Sequence, residues 1–285
     1  MQNQISKGWT DYELLDSGEG ERLERFGQYL IVKPDPSAVW DKSLPTTDWQ
    51  KANAVFDKFA RSWQTDQNFP EKWQVNYKEL KFWLKLTPFK HTGLFPEQHQ
   101  QWDFVTETLK IRPQASLLNL FGYTGALSLA AASAGATVTH IDASKPALTW
   151  ARENQSLSGL DKATIRYIPE DSILFTQREI KRGNKYDGII MDPPVYGHGP
   201  KGEIWDFNKH FPILLDNCLQ ILSDKPLFVL VNAYAVSTSS ISLGNILMSK
   251  TKALGGKVIS GEVGLEEATG GRVLSTGIYA LWSNI

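Results

Sequence analysis

Apolar and polar positions follow two different rhythms along this chain. From about residue 8 to about 85, short apolar runs such as Tyr29-Leu30-Ile31-Val32 are broken by Pro, Gly and Asp, with turns at Pro34-Asp35-Pro36 and Leu44-Pro45. This predicts a small, mostly β module with one helix over 49–63. From about Thr87 onward, strand and helix patterns alternate. A helix is predicted over 97–110, ended by Pro113. Strands follow at 116–120, 137–141, 164–168, 186–191 and 227–231. Helices fall at 126–134, 145–157, 172–181, 214–222 and 240–253, with Pro146 in a first turn and Gly183 past an end. Such alternation predicts a parallel sheet covered by helices on both faces. The tail breaks the rhythm: 257–263 and 277–282 read as strands with no helix between them, hence as antiparallel neighbours. The expected architecture is α/β, with a small β-rich domain over 1–86 and a larger domain over 87–285. No internal repeat or low-complexity segment stands out.

Composition narrows the function classes. With 285 residues and 41% hydrophobic content, the chain can bury a substantial core. A formal net charge of -1 gives no global footprint for nucleic acid, so any such contact needs a local basic face. One cysteine, Cys218, permits neither an internal disulfide nor a CxxC zinc site. No apolar run reaches the roughly 20 residues of a membrane span, and the N-terminus lacks a signal peptide's apolar segment. A cytoplasmic protein without metal or membrane partner is expected; His91, His99, His140, His198 and His210 show no metal-site spacing. Six of the ten tryptophans lie in the first module. They read as its core, or, with the lysines of 78–85, as an aromatic-basic surface. Nothing in the sequence fixes an oligomeric state.

Four segments that follow strands carry candidate chemistry. Asn119-Leu120-Phe121-Gly122-Tyr123-Thr124-Gly125 precedes a helix, and its glycines allow close ligand approach and a tight turn. An ordinary β–α turn has the same composition. Asp142 ends the next strand, where an acid hydrogen-bonds a ribose diol or caps the following helix. Asp171, after Glu170, can accept from an adenine amino group or cap the helix at Ser172. Asp192-Pro193-Pro194-Val195-Tyr196 follows the run 186–191. An exocyclic amine on a base is a poor nucleophile because its lone pair is delocalised into the ring. Hydrogen bonds to Asp192 and to the Pro193 carbonyl favour a more pyramidal nitrogen, and the prolines hold those acceptors in place. Tyr196 can stack a base that is single-stranded or flipped out. The plainer alternative is a Pro-rich loop with an aromatic plug. Ligands of open α/β sheets bind outside the strands' C-terminal ends, so one adenosine-bearing cofactor can reach the first three tips and face the fourth.

Taken together these segments resemble a class I S-adenosylmethionine-dependent methyltransferase. In particular they resemble the bacterial family that includes large-subunit ribosomal RNA methyltransferases with a D-P-P-x-[FY] motif. The resemblance covers roughly residues 88–285. It rests on Gly93-Leu94-Phe95-Pro96-Glu97-Gln98, on the stretch from Leu118 to Gly125, on His140-Ile141-Asp142-Ala143-Ser144 with Asn154 after it, and on the Asp192 loop. It implies a Rossmann-like seven-stranded, mostly parallel sheet with an antiparallel last strand. It implies S-adenosyl-L-methionine as cofactor, with contacts at Phe95, Gln98, Phe121, Tyr123, Asp142, Ser144 and Asp171. Asn119, Gly122, Thr124, Gly125, Ala143, Asn154 and Asp192 complete the implied binding set. It further implies methyl transfer to a base in RNA, ribosomal RNA first, with Asp192, Pro193 and Tyr196 as catalytic residues.

Two departures bear on the chemistry. Relatives that methylate C5 of cytosine need a cysteine nucleophile, whereas Asn232-Ala233-Tyr234-Ala235 has none and Cys218 falls inside a predicted helix as a small core residue. Transfer to nitrogen is therefore expected. The first module does not match the RNA-binding domain common in such enzymes. A small molecule or a protein side chain is the alternative acceptor, and the near-neutral charge suits it. The glycine loop and Asp142 alone would also serve a nicotinamide-dependent oxidoreductase or a non-catalytic binding protein, but neither gives a reason for the Asp192 motif. The glycine-rich stretch 197–202 is expected to be a mobile flap offering Lys201 to an anionic group, or else a plain surface loop.

Overall fold

Leu117, Leu118 and Leu120, Ile189 to Met191, and Phe228 to Val231 are all buried, so their strands are sandwiched between two helical layers. The computed structural model describes residues 2–112 and 114–285. The predicted helix stop at Pro113 lies outside the described residues. The chain folds as two compact units. One takes in Gln100–Glu262, Gly277–Ile285 and the N-terminal residues through Asn3. The other takes in Gln4–His99 and Val263–Thr276.

The main sheet has strands in the order Lys257–Glu266, Val273–Ser283, Phe228–Ala233, Gly188–Met191, Ser116–Leu120, Thr137–Asp142 and Ile165–Pro169. The last five are mutually parallel, and Val273–Ser283 runs antiparallel to Phe228–Ala233. The mostly parallel sheet and its antiparallel C-terminal strand are thus as the sequence predicts. An edge strand, Gln4–Ser6, adds in parallel to Val263–Leu265 and makes the sheet eight-stranded. Strand order reverses between Ser116–Leu120 and Gly188–Met191, and a crevice opens beyond the C-terminal ends of strands at such a switch point. The helices His99–Lys110, Ala126–Ser133, Lys145–Leu157, Ser172–Arg182 and Ser240–Thr251 fall close to their predicted places. The sixth, Phe207–Gln220, starts seven residues ahead of its predicted start because Asp206 caps it, accepting from Lys209 N at 3.3 Å. His210 and Pro212 interrupt the apolar pattern of its first two turns.

The second unit holds a five-stranded sheet in the order Tyr12–Gly18, Glu21–Phe26, Tyr29–Pro34, Ala54–Asp57 and Ser62–Thr65, with a separate hairpin Trp73–Tyr77/Leu80–Leu84. Trp9, Trp49 and Trp73 are buried, as core residues would be. The expected helix over 49–63 is replaced by a single turn, Thr46–Trp49, and a hairpin. The Asp57 carboxylate accepts from Phe59 N at 2.8 Å and Ala60 N at 2.9 Å, which closes a tight turn and reverses the chain before a helix can propagate.

Candidate functional site

The glycine loop is shaped from behind. Phe121, Tyr123 and Gly125 all adopt left-handed backbone, at φ 58°, 50° and 93°. Gly122 N donates to Ile141 O at 3.0 Å, drawing the loop against the next strand. A Cβ at Gly122 would stand 2.4 Å from the His140 ring, so only glycine fits there. Burial lowers the His140 pKa to about 3, so the imidazole is neutral. Its Nδ1 lies 2.9 Å from Ser128 Oγ, which accepts from Asn119 Nδ2 at 2.9 Å. On the other flank, Asn154 Nδ2 donates to Thr124 O at 3.0 Å.

Asp142 receives Tyr123 N on one oxygen and Ser144 N on the other, each at 2.8 Å. Burial holds its carboxyl above the usual carboxylate range, opposed by these two amides. A carboxylate has about four acceptor positions, so capacity remains for a ligand's hydroxyls. Ser144 in turn caps the helix Lys145–Leu157, accepting from Ala147 N at 3.3 Å. Asp171 caps Ser172–Arg182 in the same way, accepting from Leu174 N at 2.9 Å. The capping role weighed for Asp171 is therefore real, whereas the helix after Asp142 is capped by Ser144 and Asp142 instead holds the Tyr123 and Ser144 amides.

The Asp192 loop lies beside the glycine loop because Met191 pairs with Leu120, and Asp192 N donates to Leu120 O at 3.3 Å. The glycine-rich stretch after it forms a hairpin of Tyr196–His198 and Ile204–Asp206. From this hairpin, Trp205 Nε1 donates to Pro194 O at 2.6 Å, and its ring meets Phe121 edge-on at 4.9 Å.

These segments enclose a cavity of about 360 Å³, within the range of small-molecule sites. Phe121, Tyr123, Asp142, Ala143, Ser144, Asp171 and Asp192, all named from the sequence as candidates, line it. Glu170, Ser172, Pro194, Gly197, His198, Gly199 and Trp205 complete the lining. Asn119, Gly122, Thr124, Gly125 and Asn154 stand behind the wall and shape it. Pro193 is buried in its loop, and Tyr196 is 57% exposed on the hairpin, outside the lining. Phe95 and Gln98 belong to the second unit, where Phe95 precedes the turn Pro96–Gln98 and Gln98 is buried. Cys218 is buried 3.7 Å from Met191 Sδ, and burial pushes its thiol well above the usual range, so it supplies no thiolate. Sequence reasoning missed Ser128, His140 and Trp205. The signal for His140 was its place two residues before Asp142, and for Trp205 an aromatic following the glycine-rich stretch.

Fold and cavity together define an open-sheet α/β protein with a pocket at its switch point. Residues 53–235 match the family model for S-adenosylmethionine-dependent methyltransferases. The crystal structure of the SAM-dependent methyltransferase from Agrobacterium tumefaciens superposes with a TM-score of 0.97 at 41% identity, covering 100% of this chain and 94% of that one. Ribosomal RNA large subunit methyltransferase K/L of Pseudoalteromonas atlantica is 34% identical over 242 residues, 76% of this chain and 33% of that protein. Ribosomal RNA large subunit methyltransferase K of Neisseria meningitidis is 32% identical over 145 residues, 50% of this chain and 40% of that protein. The chain thus spans well under half the length of these two curated relatives. It belongs to the S-adenosylmethionine-dependent methyltransferase family and uses that molecule as methyl donor. The residues present fit it: Asp142, Asp171 and Asp192 line the cavity with Glu170, which is ion-paired with Arg178, and none of the described lining residues is lysine or arginine. That field favours a sulfonium cation and opposes the pyrophosphate of a nicotinamide dinucleotide. Among the described residues, no helix is long and apolar enough to cross a membrane.

Proposed function

We propose that this enzyme methylates a nitrogen of an RNA base, ribosomal RNA being the first candidate. The observation that supports the reading is that Asp192 and Pro194 of the Asp-Pro-Pro corner line the same cavity as Asp142. The names of the two curated relatives supply the RNA. Bound S-adenosylmethionine supplies an electrophilic methyl carbon on a sulfonium. In this reading Asp142 accepts from the ribose hydroxyls and Asp171 from the adenine amino group, while Phe121 and Tyr123 give the apolar wall. Burial and the nearby Asp142 charge push the Tyr123 hydroxyl up to about 12, so it stays a neutral phenol. Asp192 and the Pro193 carbonyl accept from the target amine and turn its lone pair toward the methyl carbon, and Tyr196 stacks the base. Catalysis then rests on alignment and on two fixed acceptors rather than on a covalent intermediate.

The test is methyl incorporation from labelled S-adenosylmethionine into RNA purified from cells lacking the protein, followed by mapping of the labelled nucleotide. Label at a base nitrogen is the expected result. Label confined to proteins or metabolites would replace RNA with the alternative acceptor that the chain's near-neutral charge suits.

A further inference from the structure

We propose that Trp205 is a positioning residue for methyl transfer, clamping the Asp-Pro-Pro corner and tying it to the glycine loop. The inference rests on the reading of Asp192 as the acceptor site. Pro193 and Pro194 have no N–H, so their carbonyls are the backbone groups by which this corner can be held. The indole is donor-only, and its N–H is spent on Pro194 O at 2.6 Å. The ring is 3% exposed and packs edge-on against Phe121, whose own backbone is left-handed. Two further bonds flank this one: Asp192 N to Leu120 O at 3.3 Å and Phe207 N to Val195 O at 2.9 Å. The corner is thus pinned at Asp192, Pro194 and Val195. The indole thereby fixes the orientation of the Pro194 carbonyl and with it the peptide next to Asp192, and Trp205 holds the hairpin that carries Tyr196 in register through the pairing of Gly197 with Trp205.

Trp205→Phe keeps a ring against Phe121 and deletes the donor; Trp205→Leu deletes both. Three measurements apply: amide hydrogen exchange over Tyr196–His198 and Ile204–Asp206, S-adenosylhomocysteine Kd, and kcat and KM on RNA from cells lacking the protein. For Trp205→Phe, hairpin exchange should rise and kcat fall, each about tenfold, with Kd within about twofold of wild type. Trp205→Leu should also weaken S-adenosylhomocysteine. Unchanged hairpin exchange in Trp205→Phe, or raised exchange with kcat intact, overturns the proposal. If wild-type protein labels no RNA, the RNA reading fails by itself, and kcat for the Trp205 variants is then read on whichever protein or metabolite acceptor the wild type labels.

Discussion

Asp142 and Asp192 face one cavity, yet their surroundings assign them to different steps. Asp142 is tied to two loop amides, so its loss disturbs both the glycine loop and the proposed ribose contact. Asp142→Ala should raise the Kd for S-adenosylhomocysteine by about 10- to 100-fold in a calorimetric titration, the range for losing hydrogen bonds to a charged group. An unchanged Kd would remove Asp142 from the binding site. Asp192 lines the same cavity and is the proposed acceptor-side residue. Asp192→Ala should lower turnover by at least about 100-fold, the scale of losing a fixed electrostatic partner of the transition state. The cofactor product should still bind with near wild-type affinity. Full activity in this variant would end the proposed mechanism.

At the scale of elements, the glycine loop is only as firm as the helix and strand behind it. His140 on the strand Thr137–Asp142 fills the space under Gly122, and Ser128 on the helix Ala126–Ser133 lies against its ring nitrogen. With its folded pKa lowered to about 3 and an unfolded value near 6.5, His140 is kept from a proton that the unfolded chain takes up below about pH 6.5. Its contribution therefore favours folding less and less as pH falls from about 6.5 toward 3, by about 1.4 kcal/mol per pH unit. In urea melts, wild type should lose about 2 kcal/mol more between pH 7 and pH 5 than His140→Gln does. An equal loss in both would mean that His140 is protonated in the folded state. The strands and helices flanking this loop were legible because their apolar spacing and caps are local: Pro146 marks the start of Lys145–Leu157, and Gly183 the end of Ser172–Arg182. The turn at Asp57 was not, because a side-chain-to-backbone bond overrode apolar spacing that also suits a helix. The motif residues lining the cavity were legible for the same local reason. His140 and Trp205 were not, since the one acts by occupying volume behind a glycine and the other by reaching a carbonyl eleven residues away.

Across the whole molecule, the chain passes more than once between its two units: Val263–Thr276 groups with Gln4–His99, and Gly277–Ile285 returns to the first unit. The units are therefore not successive beads. A fragment beginning at Gln100 lacks the partners of Val263–Thr276, including the strand Gln4–Ser6 that pairs with Val263–Leu265. It should give a broad, non-cooperative urea transition by circular dichroism, where the full chain unfolds sharply. A sharp transition for the fragment would show that the sheet folds without that segment. The charge lining the cavity has a consequence at the same scale. A polyanion meets a mouth walled with like charge, so for an RNA substrate the phosphates must halt at the threshold while one uncharged ring goes in alone. Letters already unpaired in a loop, or swung out of a helix, can make that passage; those stacked within an intact duplex cannot.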